Sequence, residues 1–372
     1  MSSPRRLVIL GATGTVGIQA LSILEESSSP LEVVALSCHQ QGEKLEKLGP
    51  PQAQRFQTSQ PQQHAALLAY LEQGDYDVCL HGIVGAAGLP FTEAVLKAGR
   101  TLALANKESL VMAGDLLMPL ARKTGAEIVP VDSEHSAIFQ CLVGASQKDV
   151  RHLWLTASGG ALRDFPMQDL AKVTPAQALE HPNWDMGPRI TVDSATMMNK
   201  AFEIIEARFL FNIAASEIKV LVHRQSVVHS MVEFLDGSML AQLGPPDMSL
   251  PIHYAIHYPE RLASPLQGFD AQMFSTLTLE EPDVGRYPAL NLGWMAAEMG
   301  GNAGAILNAA DEVAVAAFLA GEIPYLRIAE LCQVALETMG GDPIPDLTAV
   351  YAADQRARDF VADLLSTTTS DR

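Results

Sequence analysis

Hydrophobic and polar positions follow one pattern over the first third of the chain. Between residues 6 and 100, short apolar runs such as RLVIL and LEVVAL alternate with stretches of helical periodicity, including a helix predicted from Val16 to Glu26. Strands that alternate with helices are typical of a parallel sheet with crossover helices. The pattern continues through TEAVLKAG, TLALAN and AEIVPVD, so we predict a doubly wound, Rossmann-like α/β domain over residues 1–131.

The pattern becomes mixed from residue 132 onward. We predict a helix at Ser136–Val143, a strand at HLWLTA, a helix at Ser194–Phe211 and three further strands, the last two joined by an Asp236-Gly237 turn that suits a hairpin. Residues 259–285 are rich in proline and turn formers. Three helical stretches follow. We therefore predict a central α+β domain, a linker and a small α-helical domain, with the bounds 132–258, 259–285 and 286–372.

Composition narrows the classes of protein. The 372 residues include 25 Lys and Arg against 43 Asp and Glu, and the net charge of −18 predicts neither nucleic acid nor a membrane as a partner. A hydrophobic content of 48% excludes a disordered chain. Only Leu7–Leu10 follow the N-terminal arginines before Gly11, too few for a secretory signal. Four separated cysteines without a CxxC pair indicate a reducing compartment, and we expect a cytoplasmic protein.

Three glycines mark the first turn. Gly11, Gly14 and Gly17 follow the strand LVIL and precede a helix, where glycines permit a tight bend and let backbone N–H groups meet a pyrophosphate. A plain strand-to-helix turn is the alternative, and it rarely needs three glycines. The second strand ends in His39-Gln40-Gln41 without the acid that holds a ribose 2′-hydroxyl. Its absence favours NADP over NAD, although a basic partner for the 2′-phosphate is missing as well.

Acidic residues appear at two places. Asp132 and Glu134 stand at i, i+2 at the end of a predicted strand, where an extended segment would let them share one hard cation. The alternative is a structural role at the start of a helix, in which Asp132 or Ser133 is the N-cap residue and an acid in the first turn interacts favourably with the helix dipole. Asn199, Lys200 and Glu203 have spacings that place an amide, an ammonium and a carboxylate on one helical face. An intrahelical salt bridge is the alternative there.

Two glycine- and aromatic-containing loops add candidate chemistry. The backbone of Ser158-Gly159-Gly160 can approach an anion closely, or simply form a tight turn. Residues 181–187, HPNWDMG, place a large aromatic in an irregular segment, which either anchors the loop or closes over a ligand as a lid. His223 and His229 belong either to the core or to a site. We find no GxSxG elbow, and nothing predicts covalent catalysis.

Taken together, these blocks resemble the 1-deoxy-D-xylulose 5-phosphate reductoisomerase family over nearly the whole chain. The resemblance rests on GATGTVG, IVGAAGL, LANKESLV, VDSEHSAIFQ, SGGALRD, HPNWDMG, VDSATMMNK with Glu203, HRQSVVHSMVEF and NAADEVAVAAFL. It implies an NADPH- and metal-dependent oxidoreductase that rearranges 1-deoxy-D-xylulose 5-phosphate and reduces the product to 2-C-methyl-D-erythritol 4-phosphate in non-mevalonate isoprenoid biosynthesis. It also implies an NADPH-binding first domain, a catalytic and dimerisation second domain, and a homodimer. The apolar SVVHSMVEF and SMLAQL strands could supply the interface of such a dimer.

The resemblance assigns roles to individual residues. It implies a binding site for Mg²⁺ or Mn²⁺, with Co²⁺ also suited to such oxygen ligands, at Asp132, Glu134 and Glu203. It implies catalytic roles for Lys107, Glu134, His135, His181 and His229. The implied contacts to the sugar phosphate are Lys107, Ser133, Glu134, Ser158, His181, Trp184, Ser194, Asn199, Lys200 and Glu203. The implied contacts to NADPH are Gly11, Thr13, Gly14, Thr15, Val16, His39, Gln40, Gln41, Asn106, Glu108 and Gly187. The segment with His181, Trp184 and Met186 resembles a mobile flap.

The chain departs from the family pattern in three segments. His39-Gln40-Gln41 replaces a Gly-Lys-Asn-like triplet, which predicts a weakened preference for NADPH over NADH that a Gln40→Lys variant should strengthen. Arg224 replaces the usual proline of HPQS, and Asp311 replaces the second asparagine of NAANE. Neither of these two lies on a residue with an implied chemical role.

Two other functions remain as alternatives. A cysteine-dependent semialdehyde dehydrogenase also opens with a GATGxVG-like turn, but it requires a nucleophilic cysteine, and Cys141 lies in the apolar helix AIFQCLV. A non-catalytic dinucleotide sensor would have no need for three acids together with Lys107 and Lys200.

Overall fold

The computed structural model describes residues 4–27, 29–184, 186–264, 266, 268 and 270–369. The strands are β1 (Arg5–Leu10), β2 (Leu31–Cys38), β3 (Gln54–Gln57), β4 (Val78–His81), β5 (Thr101–Leu104), β6 (Ile128–Pro130), β7 (Val150–Ala157), β8 (Ile218–Val222), β9 (Val228–Phe234) and β10 (Met239–Leu243). The helices are α1 (Thr15–Glu26), α2 (Gly42–Leu45), α3 (Pro61–Gln73), α4 (Leu89–Lys97), α5 (Lys107–Thr124), α6 (Ser133–Cys141), α7 (Pro175–Ala178), α8 (Pro188–Thr196), α9 (Met198–Leu210), α10 (Ser249–His257), α11 (Ala289–Met299), α12 (Ala303–Leu319), α13 (Arg327–Met339) and α14 (Leu347–Thr369).

These elements form two compact units. Unit 1 consists of Met1–Ser109, Leu117–Val143 and Asp247–Asp270, and unit 2 of Leu110–Leu116, Gly144–Pro246 and Ala271–Arg372. The division does not follow the predicted segment bounds at residues 131, 258 and 285. The predicted bounds separate segments by function, whereas the two units separate them by compactness. The predicted bounds therefore stay a prediction.

Unit 1 contains a parallel sheet with the strand order β3-β2-β1-β4-β5-β6, which is the order of the dinucleotide-binding fold. Leu7–Leu10 of β1 are fully buried because crossover helices cover both faces of such a sheet. Helix α10 joins this core through Ile252 and Ile256. The doubly wound α/β prediction is confirmed. Strand β3 was not predicted, because Phe56 is its only apolar residue.

Unit 2 contains a mixed sheet with the order β10-β9-β7-β8. Strands β7 and β9 pair antiparallel, as do β9 and β10, whereas β7 and β8 pair parallel. The predicted hairpin turn lies between β9 and β10, with Gly237 at a φ of 86° that favours glycine. This arrangement leaves β10 at an edge of the sheet.

The helices of unit 2 differ from the prediction in two respects. The predicted helix Ser194–Phe211 is two helices, because Met197, with a φ of 63°, separates α8 from α9. No glycine or proline marks that break in the sequence. The C-terminal region contains α14 in addition to the three predicted helices, and its many charged and small residues blur the apolar stripe. Among the residues that the structure describes, no helix is long and apolar enough to cross a membrane.

Candidate active site

The glycine turn of unit 1 has the geometry of a phosphate-binding turn. Gly11 has a φ of 77°, and its N–H donates to Ser37 Oγ at 3.3 Å, while Gly14 N–H donates to Gly11 O at 2.9 Å. A Cβ on Gly17 would lie 2.5 Å from Ala12 Cα, so only glycine lets α1 approach the turn. Helix α1 has no acid in its first turn. Its N-terminal N–H groups therefore present a site suited to an anion.

Two predicted cofactor contacts hold the neighbouring loop together. Asn106 caps α5 by accepting from Ser109 N–H at 3.2 Å, and its amide donates to Ile83 O at 2.8 Å. Glu108 accepts from Gly85 N–H at 3.0 Å. These side chains fix the loop after β4 against the start of α5. The structure thus shows their positioning role, and their contact with the cofactor stays a prediction.

The segment after β2 begins with three polar side chains, and the short helix α2 that follows brings a lysine to the glycine turn. His39, Gln40 and Gln41 are exposed, and His39 Nδ1 lies 3.3 Å from Thr58 Oγ1. Lys44 of α2 donates from Nζ to Thr13 O, in the glycine turn, at 2.8 Å. Sequence reasoning missed Lys44, because its distance along the chain from the turn hides the contact.

Asp132 is the centre of a charged group in unit 1. Lys107 Nζ donates to Asp132 Oδ2 at 2.5 Å, and His135 Nδ1 lies 3.5 Å from the same oxygen. Asp132 stands at the N-cap position of α6, but its side chain makes no capping hydrogen bond. Burial alone would raise the pKa of Asp132, but the Lys107 ammonium and then His135 hold that pKa far below its usual value. The carboxylate is therefore ionised at neutral pH, and N-capping does not explain it.

Glu134 is placed differently from the expected geometry. Because α6 begins at Ser133 and not at Ser136, Glu134 lies in the first turn of that helix. The predicted extended segment with Asp132 and Glu134 on one side is therefore wrong. Ser133 Oγ donates to Glu134 Oε2 at 2.5 Å. The assignment of Glu134 as a metal ligand stays a prediction.

In unit 2, Ser158 and His181 form a directed pair. His181 Nδ1 accepts from Asn183 N–H at 3.1 Å and from Trp184 N–H at 2.9 Å, so the ring proton must be on Nε2. His181 Nε2 therefore donates to Ser158 Oγ at 2.9 Å. Burial, followed by the charge of Arg163, lowers the pKa of His181 to about 4, which keeps the ring neutral at neutral pH.

The backbone around Ser158 requires its glycines. Gly159 and Gly160 have φ values of 87° and 71°, and a Cβ on Gly160 would lie 2.5 Å from Ser194 O. Gly160 N–H donates to Ser158 Oγ at 3.1 Å. The turn thus packs directly against α8, and it brings Ser158 to the helix that carries Ser194.

Contacts from Asn183 and Trp184 hold the first half of the loop 181–187. Asn183 Nδ2 donates to Arg224 O at 2.9 Å and to Ser226 Oγ at 2.8 Å. The Trp184 ring lies 6.4 Å from the buried His229 ring, centroid to centroid. These contacts support anchoring, and closure as a lid stays a prediction for this loop and for its end at Gly187. Asp185 lies outside the described residues.

His223 is a core histidine. Its Nδ1 donates to Thr278 O at 2.7 Å, and its side chain is buried.

Glu203 of α9 is a buried carboxylate with two partners on its own helix. Asn199 Nδ2 donates to Glu203 Oε1 at 2.6 Å, and Lys200 Nζ donates to Glu203 Oε2. The intrahelical salt bridge that the sequence offered as the alternative is therefore present, with Lys200 3% and Glu203 0% exposed. Removing the two charges of such a pair from water costs several kcal/mol, and their mutual attraction offsets about the same amount. A gain in stability therefore does not explain why a buried ion pair is present here.

The environment of Cys141 does not suit a catalytic nucleophile. It is buried in α6, and burial raises the pKa of its thiol to about 11. A thiol of that pKa is not a thiolate at neutral pH, which argues against the semialdehyde dehydrogenase alternative.

The sequence is similar to known proteins over most of its length. The sequence profile described as 1-deoxy-D-xylulose 5-phosphate reductoisomerase matches residues 7–60 and 49–114, the profile of the C-terminal domain of that family matches 128–211, and that of the DXP reductoisomerase C-terminal domain matches 243–360. A 1-deoxy-D-xylulose 5-phosphate reductoisomerase of Gloeobacter violaceus is 44% identical over 378 residues, covering 96% of each chain. Its counterpart in Symbiobacterium thermophilum is 45% identical, covering 95% of this chain and 97% of its own.

Solved structures give the same result. A crystal structure of DOX-P reductoisomerase in complex with NADPH, fosmidomycin and magnesium superposes with a TM-score of 0.90 at 36% identity, covering 98% of this chain and 99% of its own. The Zymomonas mobilis 1-deoxy-D-xylulose 5-phosphate reductoisomerase in complex with NADPH has a TM-score of 0.88 at 38% identity, covering 97% and 99%.

Proposed function

The chain belongs to the 1-deoxy-D-xylulose 5-phosphate reductoisomerase family, and from this membership we infer that it converts 1-deoxy-D-xylulose 5-phosphate to 2-C-methyl-D-erythritol 4-phosphate with NADPH and a divalent metal ion. The observation that carries the inference is 44% identity over 96% of both chains. The ionised Asp132 beside Lys107 and the buried Glu203 beside Lys200 fit such an enzyme, and a sensor would not need them.

The donor groups fit a hard cation. Asp132 is a carboxylate kept ionised by Lys107, and Glu203 is a carboxylate with no solvent exposure. Carboxylate oxygens are the ligands that Mg²⁺ and Mn²⁺ prefer. We assign Asp132, Glu134 and Glu203 as the metal ligands, as the family resemblance implies. His135 supports this set by orienting Asp132.

The glycine turn fits a dinucleotide. Among the described residues, no side chain caps the N-terminus of α1, and the lack of a Cβ on Gly17 lets this helix pack closely against Ala12 of the turn. We assign the pyrophosphate of NADPH to Gly11, Thr13, Gly14, Thr15 and Val16.

Ser158 is oriented to donate to a substrate oxygen. Its Oγ accepts from Gly160 N–H and from His181 Nε2–H, which occupies both lone pairs of the hydroxyl. The single hydroxyl proton can then only be donated outward. Such a donor matches a phosphate oxygen, and we assign it, together with Ser194, Asn199 and Lys200, to the phosphate of the substrate.

Lys107 supplies a positive charge and N–H donors at the acid it contacts. An ammonium in this position stabilises negative charge that develops on a substrate oxygen, and it can deliver a proton from Nζ. When bound, the metal polarises oxygens of the substrate and NADPH supplies the hydride. Trp184 and Met186 would exclude water from the reacting carbons if the loop closes.

The exposed edge of the second sheet and the cysteines bear on the oligomeric state and the cellular compartment of the protein. Strand β10 lies at a sheet edge with Met239, Leu240 and Leu243 exposed, and we propose that it forms the interface of a homodimer. All four cysteines are unpaired and buried, which supports a cytoplasmic location.

Identification of the product tests the function. The protein is incubated with 1-deoxy-D-xylulose 5-phosphate labelled with ¹³C, NADPH and Mg²⁺, and the carbon skeleton is followed by NMR. We expect the branched skeleton of 2-C-methyl-D-erythritol 4-phosphate. A reduced but unbranched sugar alcohol phosphate would contradict the rearrangement.

A further inference from the structure

We propose that Lys44 provides the positive charge that binds the 2′-phosphate of NADPH and so sets the preference for NADPH over NADH in this chain. The inference rests on the proposed function, because it concerns the cofactor of the same site.

The place where a 2′-phosphate would bind is defined by two neighbouring strands. In the dinucleotide-binding fold, the adenosine ribose lies at the carboxyl end of the second strand, beside the glycine turn that follows the first. Strands β1 and β2 are neighbours in the sheet, and Ser37 at the end of β2 accepts from both Gly11 N–H and Ala12 N–H. The turn and the end of β2 therefore form one continuous surface within unit 1.

The residues at the end of β2, where specificity for the cofactor usually resides, include no side chain with a fixed charge. His39, Gln40 and Gln41 are exposed, and they include neither an acid for a ribose 2′-hydroxyl nor a permanent cation for a 2′-phosphate. Judged from this triplet alone, the site would discriminate poorly between the two cofactors.

Lys44 brings a cation to the same surface from the following helix. Its Nζ donates to Thr13 O at 2.8 Å, which fixes the ammonium beside the turn. Within the described part of the chain, no carboxylate lies within 4.0 Å of Nζ, so its charge is not neutralised by an ion pair. An ammonium has three N–H donors, and Thr13 O takes one of them. The other two suit a dianionic phosphate group.

The other cations of this segment are not placed for the task. Arg55 directs its guanidinium at backbone carbonyls, among them Leu45 O at 3.3 Å and Leu48 O at 2.9 Å, and so holds the end of α2 in place. Lys47 is exposed, and no side-chain contact to the glycine turn is present among the described residues. Lys47 therefore serves as a matched control with the same charge three residues away.

Binding without turnover tests the proposal. The dissociation constants of NADPH and NADH are measured by titration calorimetry on the full chain without substrate, for the wild type and for Lys44→Gln, Lys44→Arg and Lys47→Gln. We expect Lys44→Gln to weaken NADPH about tenfold or more, the loss of one charge-assisted hydrogen bond. NADH should change less than about twofold, and Lys44→Arg and Lys47→Gln should resemble the wild type.

The outcomes are distinguishable. Equal weakening of NADPH and NADH by Lys44→Gln would show that Lys44 only supports the turn, and unchanged binding of both would show no role; either overturns the proposal. The fragments 2′,5′-ADP and 5′-AMP give a second comparison, in which only the former should weaken. A wild-type protein that binds neither dinucleotide contradicts the proposed function itself.

Discussion

Removal of Arg189 tests how the start of α8, next to the predicted flap, is held. Arg189 Nη2 donates to Asp311 Oδ2 at 3.0 Å and Nε to the same oxygen at 3.3 Å, and Asp311 is 0% exposed. Methionine at position 189 would keep the side-chain length and leave this carboxylate without its cation. Breaking a buried pair in this way costs about 3–5 kcal/mol.

The structure sets the expected cost at the lower end of that range. Burial raises the pKa of Asp311 and Arg189 opposes the rise, so without Arg189 the carboxyl can take up a proton. Protonation limits the cost, and we expect Arg189→Met to lower the free energy of unfolding by about 3 kcal/mol. In the Asp311→Asn background the buried Asp311 charge is gone, but Arg189 still faces Asp193 at 3.5 Å and Glu312 at 2.9 Å. The same substitution should therefore still destabilise the fold, but by about 1 kcal/mol less than in the wild type.

The assay uses the position of the tryptophans. Trp154, Trp184 and Trp294 are the three tryptophans of the chain, and all lie in unit 2. Their fluorescence in a urea titration therefore reports the unfolding of unit 2. The penalty of Arg189→Met should also shrink at acidic pH, because a carboxyl with a raised folded-state pKa stabilises at low pH and loses that contribution as the pH rises. Additive costs, within about 0.5 kcal/mol in the double-variant cycle, would refute the reasoning.

Substitutions at the candidate site and at the edge strand β10 should have separate, measurable effects. Ser158→Ala should lower kcat/KM about tenfold or more by raising KM, because a donor to phosphate is lost, whereas Ser146→Ala should have no effect; an unchanged KM would contradict the orientation of that hydroxyl. Glu134→Gln should weaken Mn²⁺ binding, measured by calorimetry, at least about tenfold, while the exposed Glu180→Gln leaves it unchanged; equal Mn²⁺ affinity would remove Glu134 from the ligands. The His181 ring should titrate in NMR at about pH 4, and because this is below its unfolded value near 6.5, its contribution to stability is lost as the pH falls between them; a midpoint near 6.5 would exclude the neutral pair with Ser158. Leu240→Glu on β10, where Leu240 is 50% exposed, should convert a dimer to a monomer in light scattering, and Leu279→Glu, at an exposed position of another segment, should not; a persistent dimer would place the interface elsewhere.

Much of unit 1 could be predicted from the sequence because its signals are local. The apolar runs of β1 and β2, the glycines at 11, 14 and 17, and the alternation with helices all lie within short windows, and together they specify the parallel sheet. The break at Met197 had no such signal, since neither glycine nor proline marks it. The start of α6 at Ser133 was missed because the predicted strand continued through Asp132, whereas β6 ends at Pro130 and Asp132 is the N-cap residue of α6.

The candidate site shows a similar limit. Sequence spacing identified Asn199, Lys200 and Glu203 as one helical face, and the structure bears out that arrangement. Spacing could not show that Lys107 contacts Asp132, or that Lys44 contacts Thr13, because these pairs are 25 and 31 residues apart and depend on the fold. Nor could it show that His181 directs the proton of Ser158, since that follows from which ring nitrogen accepts.

The most direct measurement of the central claim is the oxidation of NADPH with 1-deoxy-D-xylulose 5-phosphate in the presence of Mg²⁺, repeated after EDTA treatment and after the return of the metal. We predict oxidation that requires both the sugar phosphate and the metal, stops with EDTA and resumes when Mg²⁺ or Mn²⁺ is restored. Absence of turnover with substrate, NADPH and metal all present, or turnover unaffected by EDTA, would contradict the account.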